Sequence, residues 1–450
     1  MIENNDIKYD VIIIGSGFSG LAAALKLEQE NKNLKILMIE ADNRIGGRSF
    51  SKYLDDGTLI ELGGQWVGPK HEQMLKLIKQ FNLKTYVTPP FNKGKNLYFY
   101  NNTIQELPSA EFNALVKEID KLTNSINLEQ PWNHQQAKLW DKITFQKFMK
   151  NYKSDSWVKI LIEKLIAPAL VSIDSNKVSL LQALFYIASN GGFTFATSAN
   201  KGAQNYRVLG GTWQIAQKIA DSLKQTKIIL NEEVTMIDDA KNQVIITINT
   251  NKNYYGKHCV LALSPVVINN IKFKQSLPKV CKSLLASYNS GGALKVHFVY
   301  SSPFWIKDNK SGTVNSCQGY ISEVVDNTTP GSKKGILTVF IYGGKRTKIL
   351  NFSENERKEL LINELTNFFG DKAKAAKEYI EFNWIEDSWT GGCFVANLKL
   401  GAWVKYGEYW KQPIGLLHFA GTETSSYFYG YLEGAILAGQ RVANEVIKNL

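Results

Sequence analysis

Apolar and polar positions fall in blocks along the chain, and the blocks predict a mixed α/β protein. Residues 9–14 (YDVIII) are a short β-branched run with a glycine turn behind it, the pattern of a parallel strand buried on both faces. Residues 21–30 follow with helical spacing, and 34–40 (LKILMIE) are a second apolar run. Strand, helix and strand within the first 40 residues make a βαβ unit. From about residue 85 to 204 the texture changes: 111–125, 145–152, 157–168 and 179–189 read as helices, and glycine is sparse until Gly191 and Gly192. After Gly210 and Gly211 the first texture returns, with a helix over 212–223 and strands over 227–230, 244–249 and 259–263. Residues 296–299 and 337–341 read as strands of another sheet, 353–369 as a helix, and 416–450 as strand, glycine-rich turn and long helix.

Composition narrows the class. Hydrophobic residues are 44% and charged residues 21% of 450, which excludes a disordered chain. Aromatics at 12% need a core or a pocket to hold them. The net charge of +12 comes from 53 basic against 41 acidic residues, and only six of the 53 are arginine. Scattered lysines, with short clusters at 93–95, 333–334 and 372–377, describe a solvated surface and not the concentrated arginine-bearing patch of a nucleic-acid binder. The four cysteines, at 259, 281, 317 and 393, form no CxxC pair, so neither a zinc site nor a disulfide framework is read and no metal is expected. The first ten residues lack the basic start of a signal peptide. The apolar run 11–25 holds three glycines and is too short to span a bilayer, and no anchor follows the last amphipathic segment at Leu450. These features read as a cytoplasmic protein.

Gly15-Ser16-Gly17-Phe18-Ser19-Gly20 is a GxGxxG, weak alone. Here it follows a strand, opens a helix and is answered twenty residues later by Glu40 at the end of the second strand, which is the whole dinucleotide fingerprint. Gly15 makes the tight turn, Gly17 admits a pyrophosphate, Gly20 allows close helix–strand packing, and the free N–H groups at the helix N-terminus face the phosphates. Glu40 accepts from ribose hydroxyls and disfavours a 2′-phosphate. Ala41-Asp42-Asn43-Arg44-Ile45-Gly46-Gly47-Arg48 and Glu61-Leu62-Gly63-Gly64-Gln65-Trp66 continue directly, two glycine-rich turns suited to an extended cofactor.

These motifs resemble those of the flavin amine oxidase family, which contains monoamine, polyamine and L-amino-acid oxidases. The likeness extends to the last hundred residues. Glu386–Phe394 (EDSWTGGCF) is similar to the segment in which monoamine oxidases carry a cysteine bonded to the flavin. His418–Thr424 and Gly430–Ala435 look like the family's closing FAD motif. The resemblance implies an α/β (α+β) fold: a Rossmann-like FAD-binding domain of residues 6–84, 206–284 and 386–450, and an inserted substrate domain of 85–205 and 285–385. It implies FAD as cofactor, covalent through Cys393. Gly15, Ser16, Gly17, Ser19, Gly20, Glu40, Ala41, Arg44, Gly47, Arg48, Gly63, Gly64, Gln65, Trp66, Val234, Trp384, Gly421, Thr422, Glu423, Gly430, Tyr431 and Leu432 are the implied cofactor contacts. By pattern alone Cys393 is equally a small buried residue and Lys295 equally a surface lysine. The resemblance places Lys295 as the lysine that holds a water at the flavin.

Phe394 and Tyr431 stand at the positions of the family's substrate cage. Monoamine oxidases have tyrosine at both, so phenylalanine at the first keeps an aromatic face and loses a phenol dipole. Gln204 matches a pocket glutamine, and residues 167–172 and 194–197 are expected along the entrance and cavity. Glu323, in YISEVV, resembles an acidic pocket residue of bacterial putrescine oxidases; as a strand carboxylate it could equally face solvent. The implied reaction is oxidation of a primary amine by hydride transfer to flavin N5, followed by imine hydrolysis to aldehyde and ammonia and reduction of O2 to H2O2. A monoamine is the leading substrate. A diamine held by Glu323, an L-amino acid and a non-catalytic flavoprotein are the alternatives. No partner beyond substrate and oxygen is read, except a homodimer that the resemblance allows.

Overall fold

The computed structural model describes residues 9–88, 94–152, 156–240 and 242–450. Residues 1–8, which carry the signal-peptide reading, and Lys93 of the first lysine cluster lie outside the described residues. The first apolar run forms β1 (Tyr9–Ile14), with its last four residues buried. It is paired in parallel on one side with β2 (Ile36–Ile39) and on the other with the strand Asn253–Leu261. Burying Ile12 and Ile13 completely stabilises this centre by ~1.5–3 kcal/mol each. The sheet runs Thr226–Ile229, β2, β1, Asn253–Leu261, Gln243–Ile248, Val234–Ala240, Lys272–Phe273, and Leu417–Phe419 pairs with the far end of Asn253–Leu261. Helix α1 (Phe18–Glu30) connects β1 to β2, and its Leu21 and Ala24 share a core with Ile436 and Val442 of the last helix, Leu432–Ile447.

A second sheet runs Glu378–Asn383, Ala293–Tyr300, Gly335–Tyr342, Glu323–Asp326, Lys310–Ser316, Lys95–Tyr100, Thr103–Gln105. All eight residues of Ala293–Tyr300 are buried, so both faces are covered. Leu294, Val296 and Phe298 pack on Leu361, Leu365 and Phe368 of the helix Glu354–Phe369. The period of two then turns Ala293, Lys295, His297 and Val299 to the opposite face. Helix Glu354–Phe369 begins where the pattern predicts, because Ser353 and Glu356 form a reciprocal capping box.

The expected helix over 157–168 is corrected. The α-helix is Val158–Lys164, and a π-helical turn, Leu165–Leu170, follows it. Pro168 within that turn has no N–H to continue the ladder, so the backbone widens. The α1 helix starts at Phe18, three residues before its apolar pattern does. The strand expected over 259–263 is the end of a longer one, Asn253–Leu261. Among the described residues no helix is long and apolar enough to cross a membrane, and no cluster of His, Cys, Asp and Glu could hold a metal.

A buried ion pair ties the strand Leu59–Glu61 to the strand Tyr206–Val208. The Arg207 guanidinium donates to Glu61, both residues 1% exposed, and Thr212 N donates to the other Glu61 oxygen at 3.2 Å. Replacing Arg207 with leucine leaves a buried carboxylate without its countercharge, so unfolding stability should fall by ~3–5 kcal/mol. A urea titration checks this, and a loss under ~1 kcal/mol would contradict it.

Candidate active site and cofactor cradle

The turn after β1 can be built only from glycine. Gly15 has φ +97°, and a Cβ on Gly20 would lie 2.0 Å from the Gly15 carbonyl oxygen. The tight turn delivers the start of α1 with no side-chain cap and no acidic residue in its first turn, an open field for an anion. Gly47 crosses directly over Gly17, where a Cβ would meet the Gly17 Cα at 3.3 Å. Glu40 faces the same space. Ser16 N and Oγ both donate to its Oε2 at 2.7 Å, and Asp42 N donates to Oε1 at 3.0 Å. Ser16 thus aims the carboxylate and does not itself line the cavity.

Arg48 Nη1 and Nη2 donate to the two oxygens of Glu423 at 2.6 and 3.1 Å, and Nη1 also reaches the Phe394 carbonyl at 3.0 Å. It therefore joins the N-terminal loop to two C-terminal segments. Arg44 donates to the Gly47 carbonyl at 2.9 Å and lies 4.4 Å over the ring of Phe50. Thr422 Oγ1 accepts from Gly430 N at 3.0 Å and donates to the Tyr431 carbonyl at 3.1 Å, which fixes the turn before the last helix.

Lys295, 3% exposed, rises from the inward face of its strand. Nζ donates to the Gly63 carbonyl at 3.1 Å and to Gln65 Oε1, and Gln65 Nε2 donates to Asn327 Oδ1 at 2.9 Å. Burial pulls its ammonium down to about 7; the nearby Glu61 works against that and Arg207 adds to it. The register sets Lys295, Phe340 and Glu323 side by side across three strands. Nζ stands 5.4 Å from the Phe340 ring centroid, and Trp66 tilts against that ring at 6.0 Å. Burial pushes the Glu323 carboxyl up to about 7, opposed by the hydrogen bond that Tyr342 Oη donates at 2.9 Å.

Cys393 and Phe394 lie on a backbone with φ +61° at Gly391, +147° at Gly392 and +55° at Phe394. For Phe394 the left-handed region costs ~1–2 kcal/mol, strain of the kind held at functional sites. Burial pushes the Cys393 thiol up to about 12, with Arg48 and Arg346 acting against it. Trp384 Nε1 donates to the Leu62 carbonyl at 2.9 Å. Tyr431 caps the last helix; its phenol hydrogen-bonds with Tyr186 and reaches the Ala196 carbonyl at 3.3 Å.

These groups line one continuous cavity of about 1810 Å3, open solvent at its mouth included, running from Gly15 and Glu40 to Tyr186, Thr197 and Gln204. Gly15, Gly17, Ser19, Glu40, Arg44, Gly47, Arg48, Gly63, Gly64, Gln65, Trp66, Trp384, Cys393, Thr422, Gly430, Tyr431 and Leu432 reach it, as do Lys295, Phe394, Gln204 and Glu323. Glu323 is half-buried and lines the cavity, and Lys295 is no surface lysine. Gly20, Ala41, Gly421 and Glu423 stand behind the wall, and Val234 is buried among Ile237 and Ile246, off the lining. From 167–172 the lining takes Ala169 and Leu170, and from 194–197 it takes Thr197. The sequence reading missed Tyr186, Phe340 and Tyr342. Their only signal is alternation within apolar runs, which does not say what the inward face meets.

An extended dinucleotide cofactor fits this shape. The uncapped α1 terminus and the aimed Glu40 carboxylate share this lining with Lys295 and Cys393. Trp66 and Thr390 belong to the lining, and their Nε1 and Oγ1 are buried without a partner among the described residues. A Rossmann-type cradle whose cavity also takes in a buried lysine and aromatic walls is the arrangement of a flavoprotein oxidoreductase. The family model for flavin containing amine oxidoreductase matches residues 18–447. Rat (Rattus norvegicus) amine oxidase [flavin-containing] B is 30% identical over 452 residues, covering 98% of this chain and 86% of its own. Putrescine oxidase bound to putrescine superposes with a TM-score of 0.92 at 29% identity, over 98% of this chain and 99% of that one. Cyclohexylamine oxidase from Brevibacterium oxydans gives 0.92 at 28%, over the same shares. The chain belongs to the flavin-containing amine oxidoreductase family. It is an oxidoreductase that acts on amines, with FAD as its cofactor.

Proposed function

We propose that the protein oxidises a short primary amine carrying a second cationic group at its far end, an aliphatic diamine. The observation behind this is a carboxyl group, Glu323, in the cavity lining, hydrogen-bonded to Tyr342 beside the rings of Phe340 and Phe394. Lys295 and Glu323 stand two strand spacings apart, ~10 Å. A diamine of a few carbons suits that span better than a long polyamine. The putrescine-bound relative supports the reading. FAD, when bound, supplies acceptance of the α-carbon hydride at N5 and reduction of O2 to H2O2, and the imine hydrolyses to aldehyde and ammonia. The chain's residues do the rest. Phe394 and Tyr431 wall the approach, and the apolar lining favours the neutral amine that a hydride donor must be. Lys295, losing its charge above about pH 7, holds a water by hydrogen bond.

Other parts of the reading rest on the same family. FAD is bonded to Cys393, and the lining residues named above hold it, with Arg44 and Arg48 near the phosphates. The chain divides into a cofactor domain of 6–84, 206–284 and 386–450 and a substrate domain of 85–205 and 285–385, supported by the strands of each of the two large sheets coming from one set alone, while two small sheets pair strands across the sets. The protein works in the cytoplasm. A primary monoamine, the leading substrate from the sequence, becomes the second reading here, favoured by the stacked Phe340 and Tyr342 rings along the wall.

Replacing Glu323 with glutamine tests the substrate. The kcat/KM for putrescine should fall about 30-fold or more, the cost of stripping a buried ammonium of its partner, and that for butylamine or phenethylamine less than about threefold. In the native protein the preference for the diamine should rise as pH rises through about 7, where Glu323 ionises. Equal losses on all amines would remove the diamine reading.

A further inference from the structure

We propose that Tyr342 is a specificity-determining residue: its phenol positions the Glu323 carboxylate toward the cavity and so fixes where a second cationic group of the substrate is read. This rests on the reading of Glu323 given above. The strands Glu323–Asp326 and Gly335–Tyr342 are antiparallel with Glu323 opposite Phe340. Tyr342 lies two residues beyond Phe340, on the same face, and so is the diagonal neighbour of Glu323. Its Oη donates to Glu323 Oε2 at 2.9 Å.

The ring has little freedom. It stacks on Phe340 at 5.7 Å and 17° and meets the edge of Phe394 at 5.9 Å and 78°, and the residue is 3% exposed. Its one hydroxyl hydrogen is committed to the carboxyl. Among the described residues Tyr342 is the group whose hydrogen bond favours the ionised Glu323 against burial. The other charged group of the row is Lys295, on the far side of Phe340. Tyr342 also touches Phe394, so one rigid ring joins the cage wall to the carboxylate and couples the position of the reacting end to that of the distal end.

Tyr342→Phe keeps the ring and removes the hydrogen bond. The kcat/KM for putrescine should fall about tenfold, carried by KM, with butylamine changed less than about twofold. The pH above which the diamine is preferred should move upward, since the lost bond had favoured the carboxylate. In the Glu323→Gln background the same change should add little, because the charge it positions is gone. Equal loss on both amines, an unmoved pH profile, or full additivity with Glu323→Gln would overturn the proposal. If Glu323→Gln itself fails to separate the two amines, the diamine reading fails instead, and the two failures are distinct.

Discussion

Replacing Lys295 with methionine is expected to slow oxygen consumption during amine turnover by roughly 10²–10⁴-fold, the range for losing a positioned proton-transfer group. Methionine keeps the reach of the side chain and removes Nζ with its bonds to Gly63 and Gln65. The effect should concentrate on the oxygen half of the cycle. Amine consumption measured without oxygen, in a single turnover, should change less than about fivefold. Comparable losses in both halves would mean that Lys295 only supports the fold of the pocket. A second readout separates these cases further. The folded-state ammonium is lowered from its ordinary 10.5 to about 7. Between those values the unfolded chain binds more protons, so stability rises with pH there, and below about 7 the burial penalty is fully present. The methionine variant lacks the penalty. Without cofactor it should unfold at higher urea than the native protein near pH 6, with the gap closing as pH rises toward 10.

Removing the Cys393 thiol should give an all-or-none result. After acid precipitation the native protein should keep yellow flavin in the pellet, with flavin mass on the peptide holding Cys393. Cys393→Ala should release it to the supernatant. The three positive-φ residues around the thiol present it to the cavity, and Arg48 and Arg346 favour the thiolate that such a bond requires. Burial opposes them and holds the thiol at about 12, so the thiolate is scarce at neutral pH. Linkage after adding FAD to cofactor-free protein should therefore be slow and faster at alkaline pH. A colourless native pellet would sink the covalent assignment and leave the family standing, because the cradle at Gly15 and Glu40 does not depend on it.

The positive charge does not recruit a cationic substrate. A net +12 repels an amine at long range, within a Debye length of ~8 Å at physiological salt, so attraction has to be local. In the proposed function, Glu323 supplies that local attraction.

Legibility divides along contact range. The β1–α1–β2 unit with Gly15, Gly17, Gly20 and Glu40 was readable because its parts are contiguous within about thirty residues and its glycines answer local sterics. The inward aim of Lys295 follows from a period of two once its strand is known to be covered on both faces. Cys393 and the C-terminal turns were readable as family motifs. Neither alternation nor motif reveals the Arg48–Glu423 fork, 375 residues apart in sequence, or the π turn that brings Ala169 to the cavity. Nor do they reveal the bond from Tyr342 to Glu323. By itself the sequence determined the cofactor cradle at Gly15 to Glu40, since it depends on residue types at short spacing, while Lys295 and Cys393 stood out only through the family resemblance. Only the tertiary structure decided what the distal carboxylate meets. Strand register is set by packing and connections outside both strands, and a shift of one residue would have turned Tyr342 and Glu323 to opposite faces.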